Sequence, residues 1–509
     1  MEFGSSPYKS LGIDAIFQYT GSGVQLFSGT VFYLIVARIF NTSGVGAIAL
    51  FVAVIGLFNI IFTFGLNAAA QHFTSYNLGR GDFPSVKMTI YKFIGYGVLL
   101  SFIGLISLIV LAPIISQVFL HSVSYTELVR LLSLVLFGNI LFGILNGSLL
   151  GIQGFRVSAL INIAIWVTYY FGAILFALLL HSIETIIIGW IIGIFFGVLL
   201  EFSVVLASVH NYLGKGSPPS STFVLSYSLP ILLSGLISYG AASVDRFVVS
   251  GLLSLSSLGV YNFALLIVSS IGFLSAPFNN ILMTKFSELY GGKKLEEISS
   301  TTMVSSTLLS SLYIPLAMGI AALAPLILNL LAGISYIGGV TPLRIMVVVT
   351  GLFITQNILI QTVASVRKTR LLVYSGFLAL ISNLSLSIIL IPRYGLTGAA
   401  IGYSSVFATT FFVLYFYLRR ENLVELDKIA LLKIWIASCL MFFIVVGVSD
   451  LFSSNLILLP LYIGLGAISY MLIARCLRIF KTENKQLILS IFPQNHRKLL
   501  KVISFFILY

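Results

Sequence analysis

Residues 44–66 read GVGAIALFVAVIGLFNIIFTFGL, with no charged side chain and only Asn59 and Thr63 able to hydrogen-bond beyond the backbone. A helix of that length reaches about 35 Å at roughly 1.5 Å per residue, more than the ~30 Å hydrocarbon core of a bilayer. In hydrocarbon each backbone N–H and C=O must find its partner within the protein, so such a run reads as a membrane-spanning helix.

Comparable runs lie at 13–37, 90–112, 128–150, 157–180, 184–206, 223–245, 257–280, 302–328, 343–364, 371–391, 396–418, 431–449 and 456–476, making about fourteen in all. The whole chain agrees. Of its 509 residues 59% are hydrophobic and 8% charged, with a mean hydropathy of +1.09, whereas a soluble domain is about half apolar and roughly a quarter charged. The expected class is therefore all-α integral membrane. The first run lacks a small-residue cleavage site and reads as a retained helix, not a signal peptide.

The basic residues set the sidedness. Assigned to the nearest loop, 23 of the 28 Lys and Arg fall at the N-terminus, in the even-numbered loops and in the tail, and five in the odd loops. By the positive-inside rule this split supports an even number of spans with both termini cytoplasmic. The +13 net charge is accounted for by this pattern, so no nucleic-acid partner is expected. Cys439 and Cys476 lie in apolar runs without metal or disulfide spacing. His72, His121, His181, His210 and His496 are scattered among loops with no acidic cluster beside them. No catalytic residue, metal or cofactor is expected, and no loop has room for a soluble catalytic domain.

A shift of about 213 residues brings the halves into register. Gly44 to Ala47 falls on Ser257 to Val260, His181 to Trp190 on Tyr394 to Tyr403, and, within a residue, Arg130 on Arg344 and Arg156 on Arg370. The expected organisation is an N-terminal lobe at 1–210, a cytoplasmic linker at 211–222, a C-terminal lobe at 223–420, a terminal helix pair at 421–480 and a basic cytoplasmic tail at 481–509. Two such halves commonly hold a substrate between them and rock about it.

Four stretches carry a family resemblance: Ala37-Arg38 through Gly44-Val45-Gly46, Phe64-Gly65-Leu66 with Ala68 to Ala70, Asp245-Arg246 followed by Leu258-Gly259-Val260-Tyr261, and Tyr394-Gly395-Leu396-Thr397-Gly398-Ala399-Ala400. Together they resemble the polysaccharide and lipid-linked oligosaccharide flippases of the multidrug/oligosaccharidyl-lipid/polysaccharide exporter superfamily. The resemblance implies a multi-pass cell-membrane protein, not an enzyme. It would move a polyisoprenoid-linked oligosaccharide or polysaccharide precursor from the cytoplasmic to the outer leaflet by alternating access of two lobes. Membrane lipids would surround it, and glycan-assembly enzymes are conceivable partners. The rival readings are an ion-coupled drug or metabolite antiporter of the same superfamily, and a membrane enzyme acting on lipid-linked sugars.

A lipid-linked sugar phosphate needs cationic and hydrogen-bonding groups within the bundle. Asp14, Gln18, Gly21, Gln25 and Ser28 recur at three- and four-residue spacing on one face of the first helix. Asn59, Thr63 and Asn67 continue the pattern in the second helix, and Asn139, Gly143 and Asn146 in the fourth. These faces should look onto a cavity or onto another helix, because facing lipid would be costly. The five outer-side cations are all Arg, whose planar fork can bond two phosphate oxygens. Arg38 and Arg246 are expected to end the first helix of each half, and Arg130 and Arg344 to open the fourth. Each would hold a headgroup, snorkel or pair locally. On the inner side Lys92, Arg156, Lys285 and Arg370 lie near helix ends. Coupling to H+ or Na+ would fall to Asp14 or Asp245, although both are expected near helix ends. Glu201 is expected to be solvated at the interface.

Overall fold

The computed structural model describes residues 7–272, 275–452 and 456–479. Their helices are α1 (Pro7–Ile39), α2 (Thr42–Thr63), α3 (Leu66–Gly79), α4 (Phe83–Phe119), α5 (Thr126–Gly151), α6 (Phe155–Leu180), α7 (Ile183–Val209), α8 (Ser221–Leu252) and α9 (Leu255–Gly272). They continue with α10 (Ala276–Gly291), α11 (Leu295–Ala322), α12 (Ala324–Leu331), α13 (Val340–Leu352), α14 (Gln356–Ser365), α15 (Arg370–Tyr394), α16 (Leu396–Arg420), α17 (Lys428–Leu451) and α18 (Leu459–Cys476). Among the described residues there is no strand. Fourteen segments among the described residues are long and apolar enough to cross a membrane, the number expected from the runs. The tail at 481–509 lies outside the described residues.

Helix starts follow local chemistry. Asn41 accepts the Gly44 N–H at 2.9 Å, Asp82 that of Ser85 at 3.1 Å, Ser220 that of Phe223 at 3.3 Å and Asp427 that of Ala430 at 2.9 Å. Each satisfies a donor that the first helical turn leaves free.

Several boundaries differ from those expected. The second span ends at Phe64 and Gly65, both left-handed at φ 53° and 69°. Helix then resumes as α3, whose composition is too polar to register as an apolar run. The eighth span is likewise followed by a second helix, α10, and the tenth divides into α13 and α14. The seventh, α8, runs on to Leu252, so Arg246 and Asp245 sit inside their helix and not at its end.

Two compact units divide the chain, residues 1–259 and 260–509. The first therefore includes α8, which packs on α2, α3 and α4. Tyr239 Oη donates to the Ala53 carbonyl at 2.6 Å. At one end Lys92 donates to the Pro219 carbonyl at 2.7 Å and Tyr96 Oη meets Ser221 Oγ at 2.7 Å. At the other, His121 Nε2 lies 2.7 Å from the Ser250 carbonyl, and Ser250 Oγ donates to Phe119 O at 2.6 Å. The linker is strapped down as well: the Ser217 N–H donates to Ser85 Oγ at 2.9 Å.

Repeat-equivalent residues meet in this unit. Thr42 Oγ1 and Ser256 Oγ are 2.6 Å apart. One turn along, Gly46 and Gly259 let α2 cross the start of α9 backbone to backbone: a Cβ on Gly46 would lie 2.8 Å from the Leu255 carbonyl carbon and 3.0 Å from the Gly259 nitrogen.

In the second unit, Pro315 interrupts α11. Proline has no N–H, so the Ser311 carbonyl one turn earlier loses its helical donor. Tyr470 Oη of α18 donates to that carbonyl at 2.9 Å. A side chain thus satisfies the freed group, as membrane proteins require of a proline-broken turn, and ties α18 to α11.

Candidate functional site

Four packed helices of the first unit bring the expected amides together. The α3 backbone presses against α5 where Gly147 and Gly151 leave room. A Cβ on Gly147 would lie 2.9 Å from the Asn67 carbonyl carbon, and one on Gly151 3.0 Å from the Gln71 oxygen. Asn67 and Gln71 of α3 are exposed, and Asn139 and Asn146 of α5 are partly exposed. Gly143, between those two, has open space where a side chain would be. Asn146 joins α5 to α6 and α7, donating to Ser158 Oγ at 2.9 Å and to Glu201 Oε1 at 2.8 Å. From α6, Asn162 donates to the Ser158 carbonyl at 2.9 Å.

The polar stripe of α1 turns mostly to α6. Gln18 Nε2 donates to the Phe155 carbonyl at 2.7 Å, Gly21 lies against Ala159 and Asn162, and Ser28 is buried. Gln25 is exposed. Asp14 lies in α1, but its side chain is outside the described residues. Asn59 of α2 accepts the Thr63 hydroxyl at 3.1 Å. An exposed amide within a span, such as Gln25 of α1, is costly against lipid.

Most of the expected cations have local partners. Arg130 pairs with Glu127 at 2.6 Å, Arg344 Nε donates to the Ala321 carbonyl at 2.9 Å, and Lys285 pairs with Glu288 at 3.2 Å. Lys92 is engaged with Pro219, as described above. Arg38 is exposed in the last turn of α1, Arg246 is partly buried within α8, and Asp245 is fully buried.

Glu201 overturns its expectation. It is fully buried, eight residues before the end of α7 at Val209. The expected span ended at 206, which placed Glu201 nearer to water than the helix does. Its partner Asn146, and Ser158 on the same amide, belong to other spans, and no local pattern links the three.

In the second unit a cavity of about 350 Å3 opens between α11, α17 and α18. Pro315, Gly319, Ile327, Met441, Val445 and Met471 line it, with Tyr470 and Ser311 among its few polar groups. Its volume falls within the roughly 300–1,000 Å3 of ligand pockets.

Residues 35–341 match the family model described as polysaccharide biosynthesis protein. The chain belongs to that family. Among curated relatives of this polysaccharide biosynthesis protein, the probable low-salt glycan biosynthesis flippase Agl15 of Haloferax volcanii is 22% identical over 397 residues, covering 76% of this chain and 78% of the relative. Among solved structures, the lipid II flippase MurJ in an inward closed conformation superposes with a TM-score of 0.74 at 17% identity, over 94% of this chain and 99% of that one. An inward-facing multidrug resistance MATE family transporter of the MOP superfamily superposes at 0.65 with 14% identity, over 78% of this chain and 94% of that one. At these identities the structural matches establish a shared fold: a multi-pass helical membrane bundle.

Proposed function

We propose that this polysaccharide biosynthesis protein is a flippase that carries a polyisoprenoid-linked oligosaccharide from the cytoplasmic to the outer leaflet of the cell membrane, with both of its own termini cytoplasmic. The apolar cavity of the second unit carries the reading. It sits at the terminal helix pair expected beyond the six-helix lobes, and its lining suits a branched hydrocarbon chain. The amide face of the first unit supplies the complementary chemistry for a sugar. Family membership and the name of the Haloferax relative support the same substrate class. The proposed moving bodies are the lobes 1–210 and 223–420, with Arg38 and Arg246 offered to the anionic headgroup.

The MATE likeness favours one rival, an ion-coupled antiporter for a small molecule. A single experiment separates the two: leaflet exposure of a labelled polyprenyl-linked oligosaccharide in proteoliposomes, followed by analysis of the recovered lipid. Protein-dependent exposure of intact lipid is expected. No exposure would favour the antiporter, and a covalently altered lipid would favour an enzyme.

A further inference from the structure

The carboxyl of Glu201 is enclosed by three spans. Its Oε1 accepts one hydrogen bond, from Asn146 at 2.8 Å, and its Oε2 has no partner among the described residues. The amide that touches it is neutral and is shared with Ser158 Oγ at 2.9 Å, itself fully buried.

The helices packed against α7 are α5 and α6. The charged residues of α5 are Glu127 and Arg130, paired with each other at its opposite end. The titratable residues of α6 are Arg156, Tyr169 and Tyr170. Tyr169 stacks on Trp190 at 5.4 Å, about three turns of α7 away from Glu201. Arg156 has contacts of its own and forms no ion pair with Glu201 among the described residues. The other acidic residue of α7 is Glu184, in its first turn, and His210 follows its last.

A carboxylate without a countercharge is very unfavourable in a low-dielectric interior, and intramembrane ionisable groups of this kind mark proton or ion pathways. A purely structural role would be served by a glutamine, which could fill the same space without ever ionising. The Asn146 side chain also links the buried carboxyl to the open face at Gly143, one turn away on α5.

We propose that Glu201 is a proton-binding site, exchanging a proton at Oε2 with water admitted past Asn146 from the open face at Gly143. On the flippase reading, on which this role rests, that exchange couples transport to the proton gradient. In the enclosed state the group is the neutral acid. Water that reaches Oε2 past Asn146 accepts the proton and solvates the carboxylate that remains.

A protonated carboxyl in apolar surroundings adds to dicyclohexylcarbodiimide, its proton going to a carbodiimide nitrogen and its oxygen to the central carbon, and the adduct can be located by mass spectrometry of the full-length protein in liposomes. The Glu201 adduct is expected to form in acid and to fall with rising pH, roughly tenfold per unit beyond the midpoint. Glu201→Asp should retain it and Glu201→Gln should lose it. A folded protein with no adduct at any pH, an adduct indifferent to pH, or protection by Na+ at fixed pH would each overturn the proposal, the last in favour of a metal cation. Labelling needs no glycolipid, so it succeeds or fails independently of the flippase reading. In the leaflet assay an imposed pH difference should change wild-type transport and leave that of Glu201→Gln unaltered. Wild-type transport indifferent to the gradient would overturn the coupling while leaving the flippase reading intact.

Discussion

Replacing Gly46 by alanine tests the backbone crossing of α2 and α9. The new Cβ would stand 2.8 Å from the Leu255 carbonyl carbon and 3.0 Å from the Gly259 nitrogen, against an ordinary contact of 3.4 Å or more. Both neighbours are backbone, as is the Leu255 carbonyl oxygen that lies closer still, so none can rotate aside and the helices must separate by at least about 0.6 Å. The hydrogen bond between Thr42 and Ser256, 2.6 Å long, would stretch to about 3.2 Å, past the roughly 2.5–3.0 Å range of such bonds. Overpacking of this kind costs about 1–3 kcal/mol, which for a unit of this size is a Tm fall on the order of 5 °C. The assay is thermal unfolding in detergent, with Gly95→Ala as the control, since a side chain there meets nothing within 4 Å. Gly259→Ala attacks the same crossing from the other helix and should behave like Gly46→Ala. If both variants unfold at the temperature of the control, the crossing does not exist as described.

Tyr470→Phe should strand the Ser311 carbonyl beside Pro315 and lower stability by about 0.6–2 kcal/mol. Adding Pro315→Ala returns a backbone donor and should recover most of that loss, both read as Tm. Gly319→Leu places a branched side chain in the α11–α17–α18 cavity and should slow glycolipid exposure severalfold with little change in insertion or Tm. Equal rates would remove the cavity from the transport path. Arg38→Gln combined with Arg246→Gln should reduce transport in a normally folded protein, as measured by the leaflet assay. Asp82 is held below the usual carboxylate range by the Ser85 side chain, then by the Ser85 backbone N–H, with Arg80 adding to both. Its cap therefore stabilises α4 above the range in which an unfolded carboxylate titrates, and that contribution is lost as pH falls through the lowered value. Hydrogen exchange at residues 83–90, corrected for intrinsic rates, should rise on acidification, and Asp82→Asn should abolish this pH dependence.

The fourteen spans were legible in the sequence because hydrocarbon leaves a backbone few choices, and a long uncharged run such as 44–66 admits one. The repeat was legible too, through positions such as Gly46 and Gly259. That those two glycines touch each other was not, since periodicity says nothing about which helices cross. The pairs of Arg130 with Glu127 and of Lys285 with Glu288 follow from three-residue spacing on one helix, whereas packing between helices decided the Ala321 partner of Arg344 and the turn of the α1 stripe largely to α6. Sequence spacing placed the groups on helix faces without saying what each face meets. Glu201 shows the same limit most clearly. Its position in an apolar helix is written in the chain, but its enclosure by Asn146 and Ser158 depends on three spans separated in sequence and brought together only by folding.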